Sequence, residues 1–353
     1  MESAFRPYRI VAIGGGTGLS ALLQGLKRYA GAPGEAGRDG DRPPVDITAV
    51  VTVTDDGGSS GRLRREFEVL PPGDIRNCMV ALSEDEALLS KLFQYRFDTG
   101  RGLKGHSFGN LFLTALTNVT GDFQHAVRVS SEVLRIVGSI YPSTRSNVVL
   151  EAILDDRTPV LGETRISRSR RPIDHIRLKP RRCRPLPETL AAIETADLIT
   201  LGPGSLFTSV IPNLLVEGIA DAIRRSRAVT AYYVNLMWQP GETMRFSAAD
   251  HIRAIYRHSG EGLLDYVVAN AREIPAAQQR RYARQQVRPV DLDLDALGGL
   301  GVDVVAGNFL AEGVKIRHNP EAAAAVAVQL AREGRLRREL AATEAERSLW
   351  KAN

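Results

Sequence analysis

The segment that most constrains the fold is YRIVAIGGGTGLSALLQGLKRYA at residues 8–30. A short apolar run at about 9–13 is typical of a buried strand, and the leucines between Leu19 and Leu26 recur at helical spacing. A glycine-rich turn separates the two. VDITAVVTV at 45–53 follows as a second strand, apolar enough to be buried on both faces, as in a parallel sheet. Strand, helix and strand in this order predict a βαβ unit.

The remaining chain continues this alternation. DLITLGPGSLFTSVIPNLLVEGIADAIRRS again predicts a strand, a glycine turn and a helix, and AVTAYYVNLM, LLDYVVAN and GVDVVAGNFL are typical of further strands. We therefore expect an α/β fold, Rossmann-like and doubly wound, with a mostly parallel sheet and a ligand beyond the carboxyl ends of its strands. One domain spans residues 1–320, with a helical insertion at about 74–137 and a hairpin excursion at about 145–180. Residues 321–353 form a C-terminal helical tail.

Charge and composition exclude several classes of protein. The pI is about 9.3, but the net charge is only +5 and the basic residues are dispersed except at 165–184. We interpret that run as a solvated surface, with a polyanion site as the alternative, and expect no nucleic-acid partner. The chain contains no run of about 18 apolar residues, so we expect no membrane span. The first ten residues, MESAFRPYRI, lack the apolar core that is typical of a signal peptide. Two cysteines without a CxxC spacing fit a reduced, cytoplasmic protein.

Two glycine turns carry the strongest chemical signal. Glycines after a strand let backbone N–H groups approach a phosphate, and the N-terminus of the following helix adds partial positive charge. The first turn is neither the dinucleotide fingerprint nor a Walker A motif. For both glycine turns the alternative interpretation is an ordinary turn between a strand and a helix. The candidate ligand residues here are Gly14, Gly15, Gly16, Thr17 and Gly18 in the first turn, and Gly202, Gly204, Ser205 and Thr208 in the second.

A pair of carboxylates, Asp55 and Asp56, ends the second strand. At this place in a nucleotide-binding unit a carboxylate commonly contacts ribose hydroxyls, although two carboxylates can instead hold a divalent ion. Capping of the helix that begins near Ser59 is a third reading. The glycine and serine cluster that follows can form an anion nest beside a basic side chain. The candidates in it are Gly57, Gly58, Ser59, Ser60 and Arg62.

Several other polar residues precede or follow predicted elements. Asp74 and Ser247 are each predicted to cap a helix, and His106 and Asn110 lie near the start of another. A single histidine in such a place is more often a hydrogen-bonding group than a catalyst. No spacing indicates a hydrolytic triad or a metal cluster. NLMWQPGET at 235–243 supplies neutral hydrogen-bonding side chains suited to sugar or base edges.

Six motifs together resemble one family. AIGGGTGLSALLQGLK, VTVTDDGGSSGRLR, PPGDIRNCMVAL, GHSFGNLFLTAL, LGPGSLFTSVIPNLLV and NLMWQPGET occur in this order and resemble the YvcK-type gluconeogenesis-factor family, within the CofD-like group. The resemblance covers roughly residues 8–320. It implies a Rossmann-like fold that binds a UDP-sugar, notably UDP-N-acetylglucosamine. It also implies a cytosolic factor needed for gluconeogenic growth, cell shape and envelope or peptidoglycan synthesis.

The resemblance also assigns roles to residues. It implies that the glycine turns face the diphosphate, that Asp55 and Asp56 contact ribose, and that Asn213 and Asn235 line the base or sugar. It further implies a ligand contact for Arg317 in VKIRHNP. The sequence departs from the family at Trp238, where we expect threonine.

The CofD branch supplies the alternative function. It implies a transferase that moves a phospholactyl group from a nucleotide donor to a deazaflavin alcohol, with Mg²⁺ held by Asp55 and Asp56. In the regulatory reading no cofactor and no catalytic residue are required. We expect a homodimer through the helical middle region and a regulatory protein partner of unknown identity.

Overall fold

The computed structural model describes residues 6–31, 44–84 and 88–352, with side chains to residue 343. The strands are β1 Tyr8–Gly14, β2 Val45–Val51, β3 Ser139–Pro142, β4 Val149–Leu154, β5 Pro159–Leu161, β6 Ile173–Lys179, β7 Leu198–Leu201, β8 Val229–Tyr233, β9 Tyr266–Asn270 and β10 Asp303–Gly307. The helices are α1 Gly16–Leu26, α2 Gly58–Phe67, α3 Gly73–Leu82, α4 Leu88–Gln94, α5 Phe108–Thr120, α6 Phe123–Val133, α7 Glu163–Arg168, α8 Pro187–Thr195, α9 Ile211–Leu214, α10 Ile219–Arg225, α11 Ala248–Ser259, α12 Ala276–Ala283, α13 Leu294–Gly298 and α14 Pro320–Ala352.

The main sheet has seven strands in the order β10-β9-β8-β7-β1-β2-β3. Every neighbouring pair in it is parallel. The order runs outward from β1 in one direction and from β7 in the other, so the winding reverses between these two strands. The prediction of an α/β, doubly wound, mostly parallel sheet is confirmed. In such sheets the ligand crevice lies at the carboxyl ends of the two strands where the winding reverses.

Strand β1 lies at the centre of this core. Its apolar residues are almost fully buried, as are those of β2 beside it. Helices α1, α3 and α14 pack together near it, and α8 contacts it as well. A strand covered in this way must be apolar over most of its length, and its sequence shows this pattern from Ile10 to Ile13.

The excursion at 145–180 is larger than the predicted hairpin. β4, β5 and β6 form a three-stranded antiparallel sheet in the order β5-β4-β6. TPVLGETRIS at 158–167 predicts a strand that continues past Gly162, but the segment after Gly162 is helix α7. Gly162 has a φ of +94°, which ends the strand, and the Asp56 carboxylate accepts the backbone N–H of Thr164 in the first turn of α7 at 2.8 Å. A carboxylate distant in sequence thus stabilises the start of this helix.

Two local predictions at helix ends had different outcomes. The expected cap of α11 is confirmed, because Ser247 and Asp250 exchange hydrogen bonds in a capping box. The expected cap at Asp74 is wrong. Helix α3 begins at Gly73 after Pro72, and Asp74 already lies in its first turn. The predicted loop at 31–44 lies largely outside the described residues.

Ion pairs on the surface of the excursion neutralise some of the basic side chains in residues 165–184. Arg177 and Lys179 both pair with the buried carboxylate of Glu151, and Arg171 pairs with two aspartates. This pairing favours the solvated-surface interpretation of the run. In the described ranges no single helix is long and apolar enough to cross a membrane, although the bent pair Leu206–Leu214 and Ile219–Arg225 reaches that threshold when taken together.

Helix α14 is joined to the sheet by a buried ion pair and by close backbone contact. Asp197, which is fully buried just before β7, accepts hydrogen bonds from Arg335 at 2.6 and 3.1 Å and from the backbone N–H of Arg9 at 2.9 Å. At its other end, α14 crosses α1 at Gly25. A methyl group on Gly25 would overlap the carbonyl oxygen of Pro320.

The close contact between Gly25 and Pro320 gives a prediction for stability. Gly25→Ala should lower the free energy of unfolding by about 1–3 kcal/mol, because α1 and α14 must separate to admit the methyl group. Urea unfolding at one pH measures the difference. Gly298→Ala is the matched control, since that glycine also lies in a helix but has open space around it. Its substitution should change the free energy by no more than about 0.5 kcal/mol. Equal effects at the two positions would contradict the packing described.

Candidate functional site

The two glycine loops meet where the winding of the sheet reverses. The backbone N–H of Gly202 donates to the Ile13 carbonyl oxygen at 2.8 Å, which joins the ends of β1 and β7. A side chain on Gly18 would lie 2.5 Å from the carbonyl oxygen of Pro203, so the loops could not approach each other with any larger residue there. Gly16 has a φ of +65°, a conformation that favours glycine.

A cleft of about 950 Å³ opens above this junction. Volumes of this size accommodate ligands as large as a nucleotide. Eight of the predicted ligand residues line the cleft: Gly15, Gly16, Thr17, Gly18, Gly204, Ser205, Asn235 and Arg317. The glycine loops, the loop after β8 and the segment before α14 are therefore brought together, although they are far apart in sequence.

The lining has two parts of different character. One is apolar and aromatic, where Trp238, Tyr282 and Ile316 pack against Leu236 and Met237. The other is polar and basic, and comes from α1, α3 and the region of α4. Its side chains include Gln24, Lys27, Arg76, Asn77, Gln94 and Arg96. A ligand with a flat apolar part and an anionic part would match this division.

Arg76 is the best-anchored cation of the polar part. Its guanidinium donates to the hydroxyl of Ser107 and to the side-chain oxygen of Asn77, both at 2.6 Å. Burial and the nearby charge of Arg96 lower the pKa of Arg76. Two guanidinium groups that repel each other beside a cleft create a positive potential there, which favours an anionic ligand.

The carboxylates Asp55 and Asp56 do not line the cleft. Asp55 accepts the backbone N–H of Gly57 at 2.8 Å. Asp56 accepts both the N–H and the hydroxyl of Thr164, at 2.8 and 2.6 Å. Asp56 therefore binds the first turn of α7. The helix near Ser59, which we expected an aspartate to cap, has Gly57 as its N-cap. The ribose contact of the two carboxylates stays a prediction.

The glycine and serine cluster after Asp56 binds to residues at the start of α5. His106 Nδ1 lies 3.0 Å from the hydroxyl of Ser59, and the amide of Asn110 donates to Ser60 at 3.3 Å. All four are buried and join α2 to α5. Arg62 donates to the carbonyl oxygen of Lys104, also away from the cleft lining. Gly57 and Gly58 precede this cluster and likewise do not line the cleft. His106 therefore acts as a hydrogen-bonding group, as its sequence context indicated.

Other predicted ligand residues support the loops from behind. Asn213 donates to the carbonyl oxygens of Ser209 and Gly14, at 2.7 and 3.4 Å, and so braces the end of β1. Thr208 donates to Glu242 at 3.1 Å. Burial raises the pKa of Glu242 to about 7. Gly14, Gly202, Thr208 and Asn213 are absent from the cleft lining.

A group of carboxylates lies near the first glycine loop, but its geometry does not fit a metal centre. Asp74 lies against Gly15 and accepts the backbone N–H of Gly16. Burial and the charge of Asp55 raise the pKa of Asp74 to about 6, and burial raises the pKa of Glu163 well above its usual value. Across the ranges that the structure covers, no three His, Cys, Asp or Glu side chains converge as metal ligands.

Sequence reasoning missed part of the lining. Arg76 and Asn77 were recognisable in the first turn of a helix but carried no signal of a ligand role. Gln24 and Lys27 follow the glycine loop at helical spacing on the polar face of α1, which could have identified them. Tyr282 lies on a helix far along the chain and gives no such signal.

Comparisons with known proteins identify the family and related folds. A family model described as 2-phospho-L-lactate transferase CofD matches residues 10–310. The chain is similar to the gluconeogenesis factor of Bacillus subtilis (strain 168), at 45% identity over 92% of this chain and 98% of the relative. It is 50% identical to a putative gluconeogenesis factor of Nostoc sp. (strain PCC 7120), over 91% of this chain and 68% of the relative. A crystal structure of a UPF0052 family member from Bacillus halodurans has a TM-score of 0.86 and 43% identity, covering 92% of this chain and all of that chain.

Asp74 gives a prediction for the pH dependence of anion binding. The raised pKa means that the carboxyl is neutral at pH 5 and ionised at pH 8, where it would repel a diphosphate held by the glycine loop. Asp74→Asn should therefore bind inorganic pyrophosphate as tightly as the parent at pH 5. At pH 8 it should bind roughly fivefold more tightly, for a repulsion of about 1 kcal/mol.

Calorimetry without divalent ions measures the affinity for pyrophosphate at both pH values. The titration of pyrophosphate itself affects the variant and the parent equally, so it does not change the ratio of their affinities. Asp46→Asn, at an exposed position on β2, is the control and should leave the ratio at one. The same carboxyl also affects folding. Because its pKa is raised in the folded state, its contribution to stability falls as pH rises from about 4 through 6. An Asp74→Asn ratio that does not change with pH would contradict the proximity of Asp74 to the bound anion.

Proposed function

Since the chain belongs to the CofD family and is similar to curated gluconeogenesis factors, we propose that it is a regulatory protein of gluconeogenic growth. In this proposal it binds a nucleotide sugar of the UDP-N-acetylglucosamine type and passes that state to a protein partner. The pathways served are cell shape and envelope or peptidoglycan synthesis. The protein acts in the cytoplasm as a homodimer formed through the helical middle region.

The observation that carries this proposal is the cleft itself. It combines two backbone loops that can hold a diphosphate with an apolar, aromatic part for a base. Its polar, basic part carries cations that attract the diphosphate and polar side chains that can bind a sugar. Exposed Arg317 lies on its lining, where a guanidinium can bind a phosphate or a sugar oxygen. Each component of a nucleotide sugar thus has a matching surface.

The chemistry of the lining favours binding over catalysis. The described residues that line the cleft include no carboxylate. Their one histidine, His318, donates to the Val234 carbonyl oxygen at 3.1 Å, and burial lowers its pKa to about 4. A group that stays neutral and hydrogen-bonded at pH 7 is a poor general acid. We accordingly propose no catalytic residue.

A transferase is the second candidate, and the family model is the observation that favours it. Such an enzyme would use Asp55 and Asp56 to hold Mg²⁺ near the nucleotide donor. Both carboxylates accept hydrogen bonds from backbone N–H groups and lie outside the cleft lining. This arrangement gives the transferase less support than the regulatory function.

Titration with UDP-N-acetylglucosamine tests the proposal. We expect micromolar binding without turnover, with or without Mg²⁺. Arg317→Gln should weaken binding about tenfold or more, since a charge-assisted hydrogen bond contributes about 1.5–3 kcal/mol. Lys315→Gln is the matched control, because this exposed cation lies two residues away but does not line the cleft.

Three results would contradict the proposal. The first is that the nucleotide sugar does not bind. The second is that Arg317→Gln and Lys315→Gln change its affinity equally. The third is Mg²⁺-dependent transfer of a phospholactyl group to a deazaflavin alcohol, which would establish the transferase instead.

A further inference from the structure

A second pocket adjoins the cleft at Trp238. Its volume is about 660 Å³, which lies within the range of small-molecule sites. Trp238 lines both the cleft and this pocket, so this residue is part of the wall between them. At the end of α12, Tyr282 lines the cleft and the next residue, Ala283, lines the pocket. The described residues that line the second pocket are Trp238, Met244, Arg245, Ala283, Gln286 and Arg288.

The wall at Trp238 is held from two directions. The indole N–H donates to the carbonyl oxygen of Phe246 at 3.0 Å, and the backbone N–H donates to the carbonyl oxygen of Arg288 at 2.9 Å. The family resemblance predicts threonine at position 238, and a threonine side chain is too small to form the same wall. The indole is therefore a feature of this chain, and it offers a flat apolar surface.

The loop that carries half of the pocket, residues 238–245, is anchored below the surface. Gly241 lies against the end of α7, where a methyl group on it would come within 2.5 Å of the Ser167 carbonyl oxygen. The buried Glu242 carboxylate accepts the hydroxyl of Thr208 at 3.1 Å. Because these contacts fix the loop, the pocket is formed without a ligand, which lowers the entropic cost of binding.

Two arginines on the pocket lining have no counter-ion. Arg245 and Arg288 are exposed, and within the described ranges neither side chain makes an ion pair or a hydrogen bond. No carboxylate is among the described lining residues. Arg245 has a φ of +66° and Gln286 a φ of +59°, which are strained conformations for residues other than glycine and are found most often at functional sites. Unpaired guanidinium groups beside an apolar surface favour a ligand with negative charge.

The chemistry of this lining fits a flat ring that carries a phosphate. A planar ring can pack against the indole of Trp238 and the thioether of Met244. A guanidinium group binds a phosphate through two parallel hydrogen bonds, which gives it both strength and orientation. The glycine loops line the cleft and not this pocket, so side chains must hold the phosphate here.

We propose that this pocket is a second ligand site, which binds an aromatic phosphate of the size of a nucleoside monophosphate while the cleft is occupied. Arg245 and Arg288 hold the phosphate, and Trp238 and Met244 contact the ring. A molecule in the pocket and a ligand in the cleft thus contact the same tryptophan. The second site does not depend on the identity of the ligand in the cleft.

Adenosine monophosphate (AMP) and adenosine test the proposal, since they share a ring system and differ in the phosphate. Each is titrated by calorimetry into the full chain, alone and with excess UDP-N-acetylglucosamine. With the cleft filled, we expect one AMP to bind per chain. Adenosine should bind about tenfold more weakly or worse, because the charge-assisted hydrogen bonds are lost.

Substitutions then assign the binding to this pocket. Arg288→Gln should weaken AMP binding about tenfold and change adenosine binding by no more than about twofold, because only the phosphate contact is lost. Arg281→Gln is the matched control, since this exposed arginine lies on α12 but not on the pocket lining. It should change AMP affinity by no more than about twofold. Arg245→Gln repeats the test if Arg288→Gln does not fold.

Tryptophan fluorescence tests the contact with the ring. The sequence contains two tryptophans, so Trp350→Phe leaves Trp238 as the single emitter. AMP should change its emission while the cleft is filled, and an unchanged emission would contradict the contact with the indole.

Three further results would overturn the proposal. The first is that AMP does not bind with the cleft filled, or that it competes with the nucleotide sugar. The second is equal affinity for AMP and adenosine. The third is AMP binding that Arg317→Gln weakens and Arg288→Gln leaves unchanged, which would place AMP in the cleft. If UDP-N-acetylglucosamine does not bind but AMP binds with the expected dependence on Arg288, the function proposed above fails and the second site stands.

Discussion

The approach of two glycine loops at the ends of β1 and β7 is the constraint on which the site depends. The carbonyl oxygen of Pro203 occupies the space that a side chain on Gly18 would need. This contact closes the floor of the cleft and places the start of α1 beside the loop after β7. A doubly wound sheet supplies a crevice wherever its winding reverses. Here the glycines allow the backbone itself to form the base of that crevice.

The charges around this floor are divided between two layers. Basic side chains such as Arg76 and Arg317 reach the cleft, whereas the carboxylates lie behind the loops or hold neighbouring elements. Asp74 is the intermediate case, since it touches the first glycine loop and has a pKa raised to about 6. Burial raises the pKa of such a carboxyl, so that it carries less negative charge at low pH, and a backbone N–H group binds it when it is ionised. This arrangement predicts that anion binding at the loop depends on pH.

The sequence predicted what depends on local pattern. The βαβ start, the second glycine turn and the capping of α11 by Ser247 all follow from residues close together in the chain. It did not predict α7, because the hydrogen bond from Thr164 to Asp56 joins residues more than a hundred positions apart. For the same reason it could not separate residues that line the cleft from those that support it. Asn213 and Asn235 have the same side chain, yet only one lies on the lining.

A crystal structure of the protein with UDP-N-acetylglucosamine tests the central claim most directly, because it locates the diphosphate. The predicted result places the diphosphate oxygens within hydrogen-bonding distance of backbone N–H groups in both glycine loops, at Thr17 and Gly18 and at Gly204 and Ser205. Density for the diphosphate at the cluster of residues 57–61, or at the basic surface of residues 165–184, would contradict it.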